Sequence, residues 1–157
     1  MSTVSTFLWF DTQAGEAAEF YTTLLPNSRI VDRQVLPEGS PAPGTVLSVV
    51  FELDGQRFQA INAGPRFPFT EAISIAVSVQ TQEELDRLWD ALVSDGGEEG
   101  RCGWLKDRWG LSWQIVPSAL AEVLGGADPA GAQRALQAML GMNRLDIDAL
   151  RKAYAGS

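Results

Sequence analysis

The feature that most constrains the fold is a repeat, because the two halves of the chain carry the same order of predicted elements. Each half is predicted to contain one strand, one helix and three further strands, with similar element lengths and little residue identity. Asp54-Gly55 favours a tight hairpin and places the last two strands of the first half side by side. The first half comprises predicted strands at 5–11, 30–36, 46–53 and 57–62 and a predicted helix at 15–25.

The second half begins after a break at residues 63–68, where two prolines exclude a sheet interior. Residues 73–79 alternate apolar with small side chains, as a half-buried strand does. Thr81-Gln-Glu-Glu84 is a capping box that predicts a helix start. The helix is predicted to bury Leu85, Leu88, Trp89 and Leu92 and to end at Gly96-Gly97, and strands are predicted near 98–101, at 102–107 and at 111–116.

This duplication predicts an α+β fold class, in which two βαβββ modules form a curled mixed sheet around a cleft, with C-terminal helices. We expect a single domain over residues 1–157, with module 1 at about 5–64 and module 2 at about 71–117. The alternative is a single α+β sandwich whose symmetry is accidental.

A helical extension is predicted at 118–157, where the composition turns to Ala, Leu and Met. Asp128-Pro129 combines an N-cap with a first-turn proline, and Gly141 ends the helix that it opens. Ile147, Leu150 and Tyr154 mark a last helix. These helices need an apolar surface to pack against, either their own sheet or a partner subunit.

The absence of histidine narrows the possible chemistry. Histidine is the usual general base near neutral pH and the commonest transition-metal ligand. Ser-His-Asp and Cys-His catalysis are therefore impossible within this chain. With a single cysteine there are too few thiolates for a zinc site. A site of carboxylates for a hard cation remains possible in principle, but no EF-hand-like loop of alternating acids is present. We expect no metal and no cofactor.

The charge balance excludes two classes of partner. Twenty acidic residues against 12 basic ones give a formal net charge of -8, and the basic residues form no cluster. Nucleic acid and anionic lipid surfaces are repelled at long range by such a chain. The sequence shows no signal peptide, no apolar run of roughly 20 residues and only one cysteine. These features predict a cytoplasmic protein.

The predicted last strand supplies the clearest candidate for a binding surface. Ser112 and Gln114 share one face of this strand, and Trp113 points to the opposite face, because side chains alternate along a strand. A core of tryptophans with satisfied polar neighbours is the alternative. The candidate ligand-binding residues are Trp9, Asn62, Ser74, Cys102, Trp104, Ser112 and Gln114, and no catalytic residue is predicted.

Four further side chains allow two interpretations each. Cys102 is predicted to be a buried structural cysteine, since no neighbouring base activates it as a nucleophile. Asp107 is predicted to be a solvated turn carboxylate, with a buried general base as the alternative. Phe67 and Phe69 either cover a ligand or fill the junction between the modules, and the junction is favoured.

The segment Leu8-Trp-Phe-Asp11 with Ala17-Ala-Glu-Phe-Tyr21 resembles the first strand and helix of the vicinal oxygen chelate (glyoxalase/bleomycin resistance/dioxygenase) superfamily. More narrowly, the chain is similar to the 3-demethylubiquinone-9 3-methyltransferase-like, or PhnB-like, subfamily. The resemblance extends over nearly the whole chain and implies paired modules in a homodimer. The segments that carry it are Ile61–Pro65, Thr81–Glu84, Cys102–Arg108, Gly110–Pro117 and Leu145–Ile147.

The resemblance also implies where a metal would be held. Metal-using members of the superfamily take ligands, mostly His, Glu or Gln, from the first, fourth, fifth and eighth strands. Only Gln114 offers a suitable donor here, and one amide oxygen does not hold a divalent ion against water. The corresponding positions fall near Thr6 or Phe7, near Gln59 or Ile61, near Ser74 and on Gln114.

Three hypotheses follow. The first is a metal-independent protein of this superfamily that binds a small organic molecule, with the reaction unidentified. The second is an enzyme, either the methyltransferase named by the subfamily or an isomerase with a carboxylate base, although the glycine-rich turn that usually holds S-adenosylmethionine is missing. The third is an interaction module that dimerises through sheet edges and the C-terminal helices.

Overall fold

The computed structural model describes residues 2–157, and its elements follow the predicted order. The repeat of β-α-β-β-β is confirmed. The strands are β1 (Thr6–Phe10), β2 (Arg29–Val35), β3 (Val46–Leu53), β4 (Gln56–Asn62), β5 (Ser74–Val79), β6 (Glu98–Glu99), β7 (Trp104–Lys106) and β8 (Ser112–Pro117). The helices are α1 (Ala14–Leu24), α2 (Gln82–Val93), α3 (Ser118–Leu124), α4 (Pro129–Leu140) and α5 (Ile147–Ala155).

The two halves form two four-stranded mixed sheets with equivalent connectivity, in the orders β1-β4-β3-β2 and β5-β8-β7-β6. In each sheet the first strand of the half pairs in parallel with the last, and the remaining pairs are antiparallel. The α+β fold class with two modules is therefore confirmed. The chain divides into two compact units, the first ending at Phe69 and the second spanning Thr70–Ser157. A cleft between modules and a single domain stay predictions.

In the first unit α1 covers one face of its sheet. Leu8 and Phe10 are buried, whereas Phe7, which precedes them, is exposed. Asn62 at the end of β4 fixes the helix start, because its Oδ1 accepts a hydrogen bond from the N–H of Ala14 at 2.7 Å. The buried side of the helix consists of Ala14, Ala17, Ala18, Tyr21 and Leu24.

In the second unit α2 covers one face of its sheet in the same way. The predicted buried stripe of Leu85, Leu88, Trp89 and Leu92 is confirmed. The predicted cap is present too, since Thr81 Oγ1 accepts from the N–H of Glu84 at 3.2 Å. The sheet residues Leu105, Trp113 and Ile115 are buried. The opposite face carries the polar side chains of the same strands.

The strands β6 and β7 are shorter than predicted. Cys102 has φ 59° and Gly103 has φ 85°, so these two residues form a left-handed turn and cannot continue a strand. Their backbone N–H groups donate to the carbonyl oxygens of Met142 and Asn143, both at 2.8 Å. The turn is therefore bound to the segment between α4 and α5.

The prediction that Asp107 is a solvated turn carboxylate is wrong, because the residue is only 2% exposed. Its Oδ1 accepts from the backbone N–H groups of Trp109 at 2.9 Å and Leu111 at 3.0 Å. Its Oδ2 accepts from Nε1 of Trp113 at 2.9 Å. One carboxylate thus joins the β7–β8 turn to the side of β8 that faces α2.

The C-terminal helices pack chiefly on one another, around Val123, Ala135 and Leu150. Asp128 caps α4 and Pro129 is its first residue, as predicted, and Gly141 follows its end. The short helix α3 was not predicted as a separate element, since no side chain caps its start. Among residues 2–157, no helix is both long and apolar enough to cross a bilayer.

Gln82 in the first turn of α2 anchors this extension. Its Nε2 donates to the carbonyl oxygen of Leu145 at 3.0 Å, and its Oε1 accepts from the N–H of Ile147 at 2.8 Å. Leu145 itself is fully buried. The side-chain amide therefore pairs with the backbone much as a neighbouring strand does.

Replacing Gln82 with Ala should loosen the start of α5, because the Ile147 N–H loses its partner. Hydrogen exchange of that amide should accelerate about tenfold, the equivalent of one ordinary hydrogen bond. Gln137→Ala, at an exposed position of α4, is the matched control and should leave the rate unchanged. Equal exchange rates in the two variants would contradict this role of Gln82.

Asp107→Asn should lower the free energy of unfolding by about 3 kcal/mol, because an amide nitrogen would face a hydrogen-bond donor in a buried site. Urea denaturation followed by tryptophan fluorescence measures the change. The exposed Asp11 provides the control Asp11→Asn, which should stay within about 0.5 kcal/mol of the wild type. If Asp107→Asn lowered the free energy of unfolding by no more than this control, the Asp107 carboxylate would be dispensable.

Candidate functional site

The face of the second sheet opposite α2 carries a row of polar side chains that crosses all four strands. Ser74 on β5 pairs with Ser112 on β8, and Ser112 pairs with Lys106 on β7. Lys106 in turn pairs with Glu98 on β6. Directly paired residues of neighbouring strands point to the same face, so the two hydroxyls, the ammonium and the carboxylate lie side by side.

A second row lies two residues further along β8. Gln114 pairs with Ala76 on one side and with Trp104 on the other. The Nε2 of Gln114 donates to Ser74 Oγ at 2.9 Å, which links the two rows. The half-buried indole of Trp104 adds an aromatic surface to this otherwise polar face.

A cavity of about 450 Å³ opens on this face. Its volume lies within the range of roughly 300–1,000 Å³ that is usual for small-ligand sites. Apolar surface and groups of both charge signs border it. The lining residues are Glu71, Glu98, Glu99, Gly100, Arg101, Trp104, Leu105, Lys106 and Ser112.

The hydroxyl of Ser112 is the unusual group in this cavity. The residue is 0% exposed, and its Oγ has no hydrogen-bond partner among residues 2–157. A buried hydroxyl without a partner costs about 1–3 kcal/mol. Its position beside the cavity makes this hydroxyl a candidate partner for a bound molecule.

An ion pair between Lys106 Nζ and Glu71 Oε1 borders the same cavity. Lys106 lies on β7 and Glu71 lies three residues before β5, whereas β8 lies between these strands. The pair therefore crosses the first residue of β8, Ser112. Both charged side chains remain accessible, at 38% exposure for Lys106 and 62% for Glu71.

This ion pair shifts the titration of both partners. The hydrogen bond from Lys106, with a backbone hydrogen bond and the ammonium charge, holds the pKa of Glu71 below its ordinary value. The same hydrogen bond, the charge of Glu71 and, more weakly, that of Glu98 raise the pKa of Lys106. Near neutral pH Lys106 is thus a cationic donor.

Four of the seven candidate binding residues share this face, and three do not. Cys102 lies in the left-handed turn, half-buried instead of buried as predicted, with Sγ 3.6 Å from the carbonyl oxygen of Met139. Trp9 and Asn62 belong to the first unit, where the amide of Asn62 binds backbone. The four residues that share the face are Ser74, Trp104, Ser112 and Gln114.

Aromatic contacts account for Trp9 and for the two phenylalanines of the following segment. Trp9 Nε1 donates to the carbonyl oxygen of Gly64 at 2.9 Å, and its ring meets Phe67 edge-on at 4.9 Å between centroids. Phe69 meets Phe10 in the same manner at 5.1 Å. These contacts lie within the first unit, and the favoured place of Phe67 and Phe69 at the module junction stays a prediction.

Sequence reasoning missed Lys106 and Glu71. Lys106 could have been predicted from the sequence, because it follows Trp104 by two residues on a predicted strand and must share its face. Glu71 carried no such signal. It lies outside the strands, and its contact with Lys106 depends on the strand order of the sheet.

The donor groups at the superfamily's metal-ligand positions do not fit a metal ion. Phe7 offers no donor atom, and Ser74 and Gln114 bind each other. Gln59 donates its amide to Ser5 Oγ at 2.8 Å. Within residues 2–157, no group of three His, Cys, Asp or Glu side chains is placed to hold a cation. We therefore derive no step through a metal.

The family model described as 3-demethylubiquinone-9 3-methyltransferase matches residues 2–116. The chain belongs to this family. The PhnB protein of Bacillus cereus is 35% identical, and the match covers 74% of this chain and 100% of that chain with a TM-score of 0.69. The 3-demethylubiquinone-9 3-methyltransferase family thus accounts for both β-α-β-β-β modules.

More distant structures share the fold alone. A Pseudomonas aeruginosa protein is 20% identical with a TM-score of 0.60, covering 74% of this chain and 98% of that chain. The fosfomycin resistance protein FosX of Listeria monocytogenes is 13% identical with a TM-score of 0.50, covering 75% and 93%. The fosfomycin resistance protein extends the likeness in fold of this family member to the vicinal oxygen chelate fold. Among curated proteins there is no significant match.

The family match ends at residue 116, so the resemblance at Leu145–Ile147 and over the C-terminal helices stays a prediction. Helices α3, α4 and α5 lie beyond the matched region.

The family's name implies a methyl donor, which is usually S-adenosylmethionine on a doubly wound parallel sheet. Each sheet here has a single parallel pair. The link from β1 to α1, Asp11-Thr-Gln13, contains no glycine. The residues present do not fit that site, and we derive no methyl transfer.

The Lys106–Glu71 ion pair can be tested by titrating the Glu71 carboxyl. Because the pKa of Glu71 is lowered, the stabilising contribution of the pair is present above the ordinary glutamate value and is lost as pH falls through the lowered one. Lys106→Met should raise the NMR titration midpoint of the Glu71 carboxyl toward its ordinary value, because only the backbone hydrogen bond still lowers it. Lys152→Met removes the other lysine of the chain and should leave the midpoint low, and equal midpoints in both variants would contradict the pairing.

Proposed function

We propose that the protein binds a small organic molecule, without a metal ion, in the cavity over the second sheet. The observation that carries this proposal is the fully buried Ser112 hydroxyl without a partner in the cavity wall. The volume of about 450 Å³ supports it. The unsuitable donor set at the metal-ligand positions supports the metal-free part. Any reaction on the bound molecule stays unidentified.

The groups around the cavity would make different kinds of contact with a ligand. The indole of Trp104 offers an aromatic face to an apolar part of the ligand. Ser112 offers a hydroxyl hydrogen bond from a buried position. Gln114 holds Ser74 on the same face of the sheet, next to Ser112. Hydrogen-bonding groups of this kind set the orientation of a ligand.

A thermal-shift screen of the full chain against a metabolite library tests the proposal. Each compound is measured with a chelator and again with added divalent metal. We expect at least one organic compound to raise the Tm with the chelator present. If stabilisation requires a stoichiometric metal throughout the library, the metal-free proposal is wrong.

Ser112→Ala should separate binding from stability. Removing an unsatisfied buried hydroxyl should leave the free protein equally stable, or more stable by up to about 1–3 kcal/mol. The Tm shift caused by a ligand from the screen should nevertheless be lost. Ser78→Ala, at an exposed position of β5, should change neither quantity. A Ser112→Ala variant that is destabilised and still binds would assign the hydroxyl a purely structural role.

We also propose a homodimer in a cytoplasmic location, with neither nucleic acid nor membrane as a partner. The exposed Leu136 and Leu140 on α4 support the dimer. The single thiol, Cys102, supports a reducing compartment. The net charge of -8 disfavours polyanionic partners.

A further inference from the structure

We infer that the ligand is a small carboxylate with an aromatic or apolar body, which replaces Glu71 on Lys106 and reaches Ser112. This inference rests on the proposed binding function and names the chemical class of the ligand. Glu71 then acts as an internal stand-in for the ligand's carboxylate when the cavity holds no ligand.

The position of the ion pair between Lys106 and Glu71 indicates where the ligand's carboxylate would bind. The pair crosses β8 at Ser112, so a carboxylate bound to the ammonium lies next to the unpartnered hydroxyl. An ammonium has three donors and a serine hydroxyl has one. One carboxylate with two oxygens can therefore accept from Lys106 and Ser112 together.

The two members of the pair differ in how easily they leave. Lys106 is part of β7 and lies in register with Ser112, so the sheet keeps its side chain over this face. Glu71 lies outside the sheet, in a turn whose backbone is held by bonds from Ala72 and Ile73 to Thr70. Only its side chain has to swing outward, and it is already 62% exposed. The fixed charge is the cation, so an incoming anion fits.

The remaining charges near the cavity do not favour a cationic ligand. Glu99 accepts a hydrogen bond from Trp89 Nε1 at 2.6 Å on the α2 side of the sheet. Glu98 is the backbone register partner of Lys106, and its charge acts on that ammonium only as a weaker contribution. A cation that bound Glu71 would have to displace Lys106 from it, whereas an anion on Lys106 keeps this lysine paired throughout. Arg101 adds a second cationic group to the lining.

The position of Trp104 indicates that the ligand has an aromatic or apolar body. It precedes Lys106 by two residues on β7, so both side chains project from the same face. A molecule whose carboxylate binds Lys106 therefore has its body beside the indole. Aromatic pairs of this kind prefer stacked or edge-on contact.

Three probes of similar shape and different charge test the inference: benzoate, benzamide and benzylamine. Their binding to the full chain is measured by NMR chemical-shift titration of the backbone N–H groups of Trp104, Lys106 and Ser112. We expect benzoate to bind most tightly and its affinity to fall as salt is added, because its partner is an accessible charge.

Two variants of the ion pair predict opposite changes in benzoate affinity. Glu71→Gln removes the competing carboxylate and should tighten benzoate about threefold, which corresponds to one exposed ion pair. Lys106→Met should weaken benzoate at least tenfold and change benzamide far less. Glu38→Gln and Lys152→Met, which alter exposed residues elsewhere, are the matched controls and should change neither affinity.

The possible failures are distinguishable. Tighter binding of benzylamine than of benzoate, weaker benzoate binding in Glu71→Gln, or no benzoate binding at millimolar concentration would each overturn the carboxylate inference. If the metabolite library still yields a neutral or cationic compound that requires Ser112, the binding function stands without it. If no organic compound binds in the library either, both proposals fail.

Discussion

The side-chain alternation of β8 determines both what holds the second unit together and what it offers to a ligand. Trp113 and Ile115 point toward α2 and are buried, while Ser112 and Gln114 point to the opposite face. A register slip by one residue would exchange the two sets. The hydrogen bond from Trp113 to the buried Asp107 opposes such a slip, because it ties the indole to the turn that precedes β8. The polar face proposed to bind a ligand is therefore a consequence of core packing on its reverse side.

The electrostatics of the cavity favour binding over proton transfer. A general base works best when its pKa lies near the operating pH. The ion pair moves both pKa values further from neutral pH, because it lowers the pKa of Glu71 and raises that of Lys106. With no histidine in the chain, neither charged partner of this pair exchanges protons readily near neutral pH. The same shifts make Lys106 a dependable cation, which is the property an anion site needs.

Local patterns predicted those parts of the structure that local physics determines. Period-two alternation placed Ser112 and Gln114 on one face, and the capping signals at Thr81 and Asp128 correctly marked helix starts. Asp107 was misjudged because turn carboxylates are commonly solvated, whereas here the indole of Trp113 and two backbone N–H groups surround it. Such burial depends on where the rest of the chain packs.

The candidate site was only partly predictable for a similar reason. Asn62 lies at the end of a strand, as a cleft residue does, yet its amide is used to start α1. Nothing in the sequence next to Asn62 distinguishes these roles. Glu71 and Lys106 are 35 residues apart, and their contact exists only because the sheet order places β8 between β7 and β5. Strand order is a property of the whole module.

The C-terminal extension lies outside the family match, yet it shapes the wall of the cavity. The left-handed turn at Cys102 and Gly103 connects Arg101 to Trp104, both of which line the cavity. The backbone N–H groups of this turn donate to the segment between α4 and α5. Gln82 holds the same segment at Leu145 and the start of α5 at Ile147. Backbone anchored at both ends has fewer conformations open to it. The extension thus restricts where Trp104 and Arg101 can lie, and a site with these two side chains held in place loses less entropy when a ligand binds.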